Sequence, residues 1–312
     1  MADATVPPVP PLQHPLAEAV NGRLYLVPGR GLLERMKPVI LEKLNGGERA
    51  YAKGLDIPRH RPIFVELVVE DDCGACPTAV EFVSELVAGF ENVSAAIYNA
   101  TYVEPPFEVD ATPAFRVNGK VSWTGVPLTG DFSFVEELFK EAYVRAHPEL
   151  PKLLERLRAF AEANGLVRHP NTSQFKSIVY KLLVNLDRYG RPYCPCRPLT
   201  TAPTPTRGAG TTAPEELREL NKDKECPCVH AAREARERGH CLCGLLWSKE
   251  AAEKYVRERA EKYAHVIKAI EEVERAFSLS ELKARVVTGE SRRYLEAMMR
   301  ELEKVYALLP ED

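Results

Sequence analysis

The eight cysteines of this 312-residue chain stand in four tight pairs with none left over: Cys73 and Cys76, Cys194 and Cys196, Cys226 and Cys228, Cys241 and Cys243. Cysteines two or three residues apart serve metal binding or thiol–disulfide exchange. An even cysteine count also suits a disulfide framework, but such frameworks belong to short secreted chains. Here the N-terminus has neither a basic n-region nor an apolar h-region, so no secretory signal is expected and the expected location is the cytoplasm. Redox or metal chemistry is therefore the first expectation.

Length and composition bound the rest. Domains run to roughly 100–200 residues, so two are expected. Hydrophobic residues at 45% and charged residues at 28% supply real cores and exclude wholesale disorder. No apolar run approaches the ~18 residues of a membrane span, so no membrane partner is expected. The net charge of -3 is unevenly spread: -8 over residues 1–150, +6 over 151–250 and -1 over 251–312. The basic middle segment calls for an acidic partner, either nucleic acid or a small acidic electron-transfer protein.

Residues 1–20 are proline-rich and read as a disordered tail. Residues 21–147 read as strand (23–27), helix (32–44), buried strand (62–70), helix (77–90), strand (93–98), hairpin (114–117 and 120–124 about Asn118-Gly119) and closing helix (134–146). Residues 148–247 are mostly helical, with helices at 153–164, 171–189 and 231–238. The Pro/Thr/Gly-rich stretch 198–214 interrupts them as an exposed loop. Residues 248–312 form a helical extension, with Ser248 and Ser278 as helix caps and Ser291 opening a third helix. The expected fold class is an α/β domain followed by a mostly α-helical domain with a helical C-terminal extension.

Cys73-Gly-Ala-Cys76 lies between a buried strand and a helix. Cys73 is expected at the helix N-terminus, where free N–H groups and the macrodipole stabilise a thiolate, with Cys76 one turn on as the resolving thiol. Asp71 and Asp72 just before it read as loop solvation and helix capping. Thr112-Pro113 precedes the hairpin. Together these residues resemble the thioredoxin/glutaredoxin family over about residues 21–147. In that family a cis-proline at this place faces the CxxC and helps bind the substrate backbone, which implies a substrate-binding role for Thr112 and Pro113. The family's buried acid on the preceding strand falls at Leu67 here.

The other six cysteines are separated by 29 and then 12 residues. Six are too many for one tetrahedral metal, since four thiolates saturate either zinc or a [4Fe–4S] cluster. The pattern CPC…CPC…CxC, with GRPYCPCR before it and GHCLCGLL at its end, resembles the catalytic subunit of ferredoxin:thioredoxin reductase over about residues 148–247. The resemblance implies that Cys194, Cys226, Cys228 and Cys241 bind a [4Fe–4S] cluster. It implies that Cys196 and Cys243 form the active disulfide, with Cys196 facing the partner and Cys243 against the cluster. The family's histidine between the last two cysteines is Leu242 here, and His240 becomes the candidate proton donor.

On this resemblance, electrons pass from a one-electron donor such as an acidic ferredoxin to the Cys196–Cys243 disulfide. They continue to Cys73–Cys76 of the chain's own thioredoxin-like domain and on to disulfides of target proteins. Two other readings stay open. One is a zinc-stapled thiol oxidoreductase. The other is a redox sensor whose cluster and disulfide state controls partner binding by the helical tail. Nucleic-acid binding through Lys283, Arg285, Arg292, Arg293 and Arg300 is not favoured, because acids balance these bases.

Overall fold

The computed structural model describes residues 13–201 and 214–276. The caps and helices expected beyond Ala276, and the basic residues there, lie outside the described residues, as does most of the Pro/Thr-rich stretch. Among the described residues no helix is long and apolar enough to cross a membrane. The chain divides into two compact units, 1–150 and 151–312.

The first unit is built on a six-stranded mixed sheet. Its strands are β1 (Glu18–Ala19), β2 (Leu24–Val27), β3 (Ile63–Val69), β4 (Val93–Asn99), β5 (Ala114–Val117) and β6 (Val121–Thr124), in the spatial order β1-β2-β4-β3-β5-β6. β2, β4 and β3 run parallel, while β5 and β6 return antiparallel. β3 is mostly apolar and rich in β-branched residues, and every residue of β4 is buried, because both faces of these strands are covered. Helices α1 (Leu32–Leu44), α2 (Cys76–Gly89) and α3 (Val135–Ala146) complete the unit. One face of the sheet shares a core with them in which Leu67, Phe82, Leu86, Phe115 and Phe139 are fully buried. The charge on β3, Glu66, is matched across the sheet by Arg116 on β5, which donates from Nε (2.5 Å) and Nη2 (2.7 Å).

The tail is shorter than expected. Glu18 and Ala19 pair with Leu26 and Tyr25 at the sheet edge, a two-residue strand that no periodicity could announce. The helix after the CxxC starts within a residue of the expected position, but Cys73 is not at its N-terminus. Cys76, not Cys73, is its first residue, because Cys73 sits in a turn whose carbonyl accepts the Cys76 N–H (3.2 Å).

The second unit contains α4 (Leu150–Asn164), α5 (Thr172–Tyr189), α6 (Pro214–Asn221), α7 (Ala231–Arg238) and α8 (Lys249–Ala276). A small antiparallel pair, β7 (Leu166–Arg168) with β8 (Leu246–Ser248), joins distant parts of it. α5 is capped at both ends. Asn171 Oδ1 accepts the Gln174 N–H (2.9 Å), and Gly190 takes the left-handed conformation at φ +71°. α6 and the β7–β8 pair are not foreseen by the sequence reading. Ser248 accepts the Ala251 N–H (3.2 Å), as a cap should.

Candidate redox site

In the first unit Cys73 and Cys76 are joined as a disulfide. Cys76 is fully buried against the core and Cys73 is half-buried at its margin. The loop that carries them is pinned from several sides. Asp71 accepts from the backbone N–H of Leu32 (2.7 Å), from Asn99 Nδ2 (2.8 Å) and from the Tyr102 hydroxyl (2.7 Å). These bonds hold its carboxyl below the usual carboxylate range, the Asn99 amide first, then Leu32, then Tyr102. Asp71 therefore caps a helix, as its residue type suggests, but the helix is α1 and not the one that follows it in sequence.

Thr112–Pro113 is a cis peptide bond. Ala114 pairs with Val68, so Pro113 stands level with the C-terminal end of β3, just before the CxxC loop. The Thr112 hydroxyl donates to Glu70 Oε2 (2.9 Å), tying the two loops together. Leu67 is fully buried in the apolar core, so that position supplies no acid.

In the second unit the first two cysteine pairs are laced by backbone. Cys194 N–H donates to the Lys224 carbonyl (2.8 Å) and Cys226 N–H to the Pro192 carbonyl (2.9 Å). The third pair caps a tight hairpin. Cys241 N–H donates to the Leu246 carbonyl (2.9 Å), and Gly244 turns the chain at φ +74°. All six cysteines are free thiols, so Cys196 and Cys243 are not joined in this structure.

The six separate sharply by burial. Cys194, Cys226, Cys228 and Cys241 are buried, Cys243 is half-buried and Cys196 is exposed. Cys243 Sγ lies 3.6 Å from Cys241 Sγ and also hydrogen-bonds with Cys194. This crowding splits the thiols. Hydrogen bonding from Cys228 and then Cys243 pulls Cys194 down, and hydrogen bonding from Cys243 pulls Cys241 down. Cys228 and Cys243 are pushed up, each mainly through its bond with Cys194, and burial pushes Cys226 up. Desolvation also raises Cys196, followed by the Cys194 charge.

The donor set suits a thiolate-ligated group. Backbone N–H groups point at three of the buried sulfurs: that of Cys196 at Cys194, that of His230 at Cys228, and those of Leu246 (3.4 Å) and Leu245 at Cys241. Such bonds stabilise sulfur anions. Among the described residues no three His, Cys, Asp or Glu side chains converge as closely as one metal ion requires. A four-iron cluster takes one thiolate at each corner and so asks for a wider spacing than a single ion.

His240 is engaged locally. Its Nδ1 lies 2.8 Å from the Cys241 carbonyl and its ring packs against Trp247, with centroids 4.8 Å apart and planes tilted by 33°. A second histidine, His169, escaped the sequence reading. It is buried against Trp247 and Tyr255, and its Cδ2 lies 3.6 Å from where a side chain on Gly244 would begin. Its Nδ1 accepts the Asn171 N–H (2.9 Å) and its side chain bonds Gln174, while burial pushes its pKa down. His169 therefore packs as a neutral support for the hairpin.

Glu234 and Arg197 were missed as well. Glu234 lies among other charges in α7 and Arg197 stands next to a cysteine pair, and only their pairing across 37 residues marks them. A cavity of about 250 Å³ borders Cys194 and Pro195, with Lys181, Tyr180 and Tyr189 on its walls.

Residues 145–270 match the family model described as ferredoxin thioredoxin reductase catalytic beta chain, a stretch that contains all six of these cysteines. No curated protein matches the chain. The second unit is thus similar to the catalytic chain of a ferredoxin-linked disulfide reductase, and the match supports that activity in general.

Proposed function

We propose that the chain is a disulfide reductase of two fused parts: a thioredoxin/glutaredoxin-like domain over residues 21–147 and a [4Fe–4S] domain over 148–247. Cys194, Cys226, Cys228 and Cys241 would hold the cluster. Bound there, it supplies electrons one at a time, whereas a disulfide needs two. The observation that carries the reading is the partition of the six thiols, with the four ligand candidates buried and Cys196 alone exposed.

Cys196 is the attacking thiol. Its thiolate attacks Cys73 sulfur, the Cys73–Cys76 bond breaks, and Cys76 leaves as a thiolate that takes up a proton. Cys243 then attacks Cys196 and releases Cys73. The Cys196/Cys243 dithiol ends as a disulfide and the Cys73–Cys76 disulfide ends as a dithiol, so two electrons and two protons have moved. The same exchange passes them from Cys73 and Cys76 to a disulfide of a target protein, with Thr112 and Pro113 binding its backbone. His240 is the proposed proton donor. The basic segment 151–250 would attract an acidic donor such as a ferredoxin. Fusion makes the first exchange intramolecular, at effective concentrations that reach the millimolar range for short linkers.

The test is a visible and EPR spectrum of anaerobically purified protein, with iron and sulfide analysis, before and after alkylation of Cys196. The expected result is a brown protein with about four irons per chain, and an oxidised-type EPR signal that alkylation stabilises. A colourless, zinc-containing protein would overturn the proposal.

A further inference from the structure

Arg197 follows Cys196 directly, and its guanidinium enters the interior beside the second cysteine pair. It bonds the Cys228 thiol and, through Nη2, the carboxylate of Glu234. Both side chains of this ion pair are largely shielded from water, at 19% and 10% exposed. Glu234 comes from α7, whose inner face otherwise buries only Ala231 and Ala235. Its second oxygen, Oε2, accepts the backbone N–H of Leu242 (2.8 Å), the residue between Cys241 and Cys243. Oε1 also receives Arg238 Nη2 (3.1 Å). One buried ion pair thus reaches the first cysteine pair through the chain, the second through a thiol and the third through a backbone amide. Arg197 Nε is also buried and has no hydrogen-bond partner, so the guanidinium holds donor capacity in reserve beside the sulfurs.

We infer that Arg197 and Glu234 are positioning residues: together they hold the three cysteine pairs in register and set the charge beside the metal centre. The inference rests on the cluster reading above. In a low-dielectric interior neither partner is stable alone, because removing one leaves an uncompensated buried charge. A cluster's potential responds to net charge and to hydrogen bonds at its sulfurs. Loss of the Glu234 charge favours the reduced, more negative cluster, whereas loss of the Arg197 charge disfavours it.

The test compares full-length wild type, Glu234→Gln, Glu234→Ala and Arg197→Gln, purified anaerobically. Metal loss to a chelator and the cluster midpoint potential are the readouts. Glu234→Gln keeps an acceptor for the Leu242 amide, so it is expected to retain its iron while its potential moves positive. Arg197→Gln is expected to move the potential negative. Glu234→Ala is expected to lose metal roughly 10–100-fold faster, the usual cost of removing a group that orients a ligand. Glu234 variants that match wild type in both readouts would overturn the inference. If Glu234→Ala fails to fold, the opposite potential shifts of the other two variants decide. If wild type carries zinc, the cluster reading falls, and the inference stands or falls on whether Glu234→Ala speeds zinc loss.

Discussion

Asp71 sits two residues before Cys73, yet its strongest ties run to α1, to the end of β4 and to the loop after β4. Gly31 makes room for it. At φ +59° a side chain there would be strained, and its first carbon would lie 2.2 Å from the Asp71 carboxylate. Because folding lowers the Asp71 pKa, the stability it contributes is present above the ordinary carboxylate range. That contribution is lost as pH falls through the folded value. Asp71→Asn should therefore flatten the acid limb of stability against pH. Urea midpoints of both proteins between neutral pH and the carboxylate range check this, and parallel curves would contradict it. The sequence made Asp71 legible as a capping residue. It could not name the helix, because the two partners are 39 residues apart. Glu234 was hidden for the same reason.

Among the elements, those with a long periodic signal were legible to within a residue or so, as α1 and α7 illustrate. β1, β7 and β8 were not, since two or three residues carry no period and exist only through their partners. α6 follows a Pro/Thr-rich run whose composition masks it. α5 matters most for the site, because the chain leaving its C-terminus reaches Cys194 after a few residues. The sequence reading began this helix at Asn171, which the structure shows to be its N-cap. Asn171→Ala should cost about 1 kcal/mol, the usual value of such a cap. Chemical denaturation checks the figure, and an unchanged midpoint would mean that His169 holds the start of α5 without help from the Asn171 side chain.

At the scale of the molecule, the two units bury different things. The first buries mainly aliphatic and aromatic side chains and one disulfide sulfur, that of Cys76, whereas the second buries four free thiols, Cys194, Cys226, Cys228 and Cys241. Metal bound at such thiols counts toward folding free energy. On the proposed cluster, stripping metal with a chelator under reducing conditions should lower the unfolding temperature of the second unit and leave that of the first in place. Calorimetry with and without metal checks this, and two unshifted transitions would contradict it. The pairing of the cysteines was plain in the sequence, but which sulfur faces water was not, since exposure depends on how the hairpin and the laced segments close. That exposure bears on wear. Peroxide arriving at this surface meets Cys196 before any buried thiol. The first injury then falls on a sulfur whose sulfenic acid a second thiol can still reverse, while the sulfurs deeper in the fold are spared.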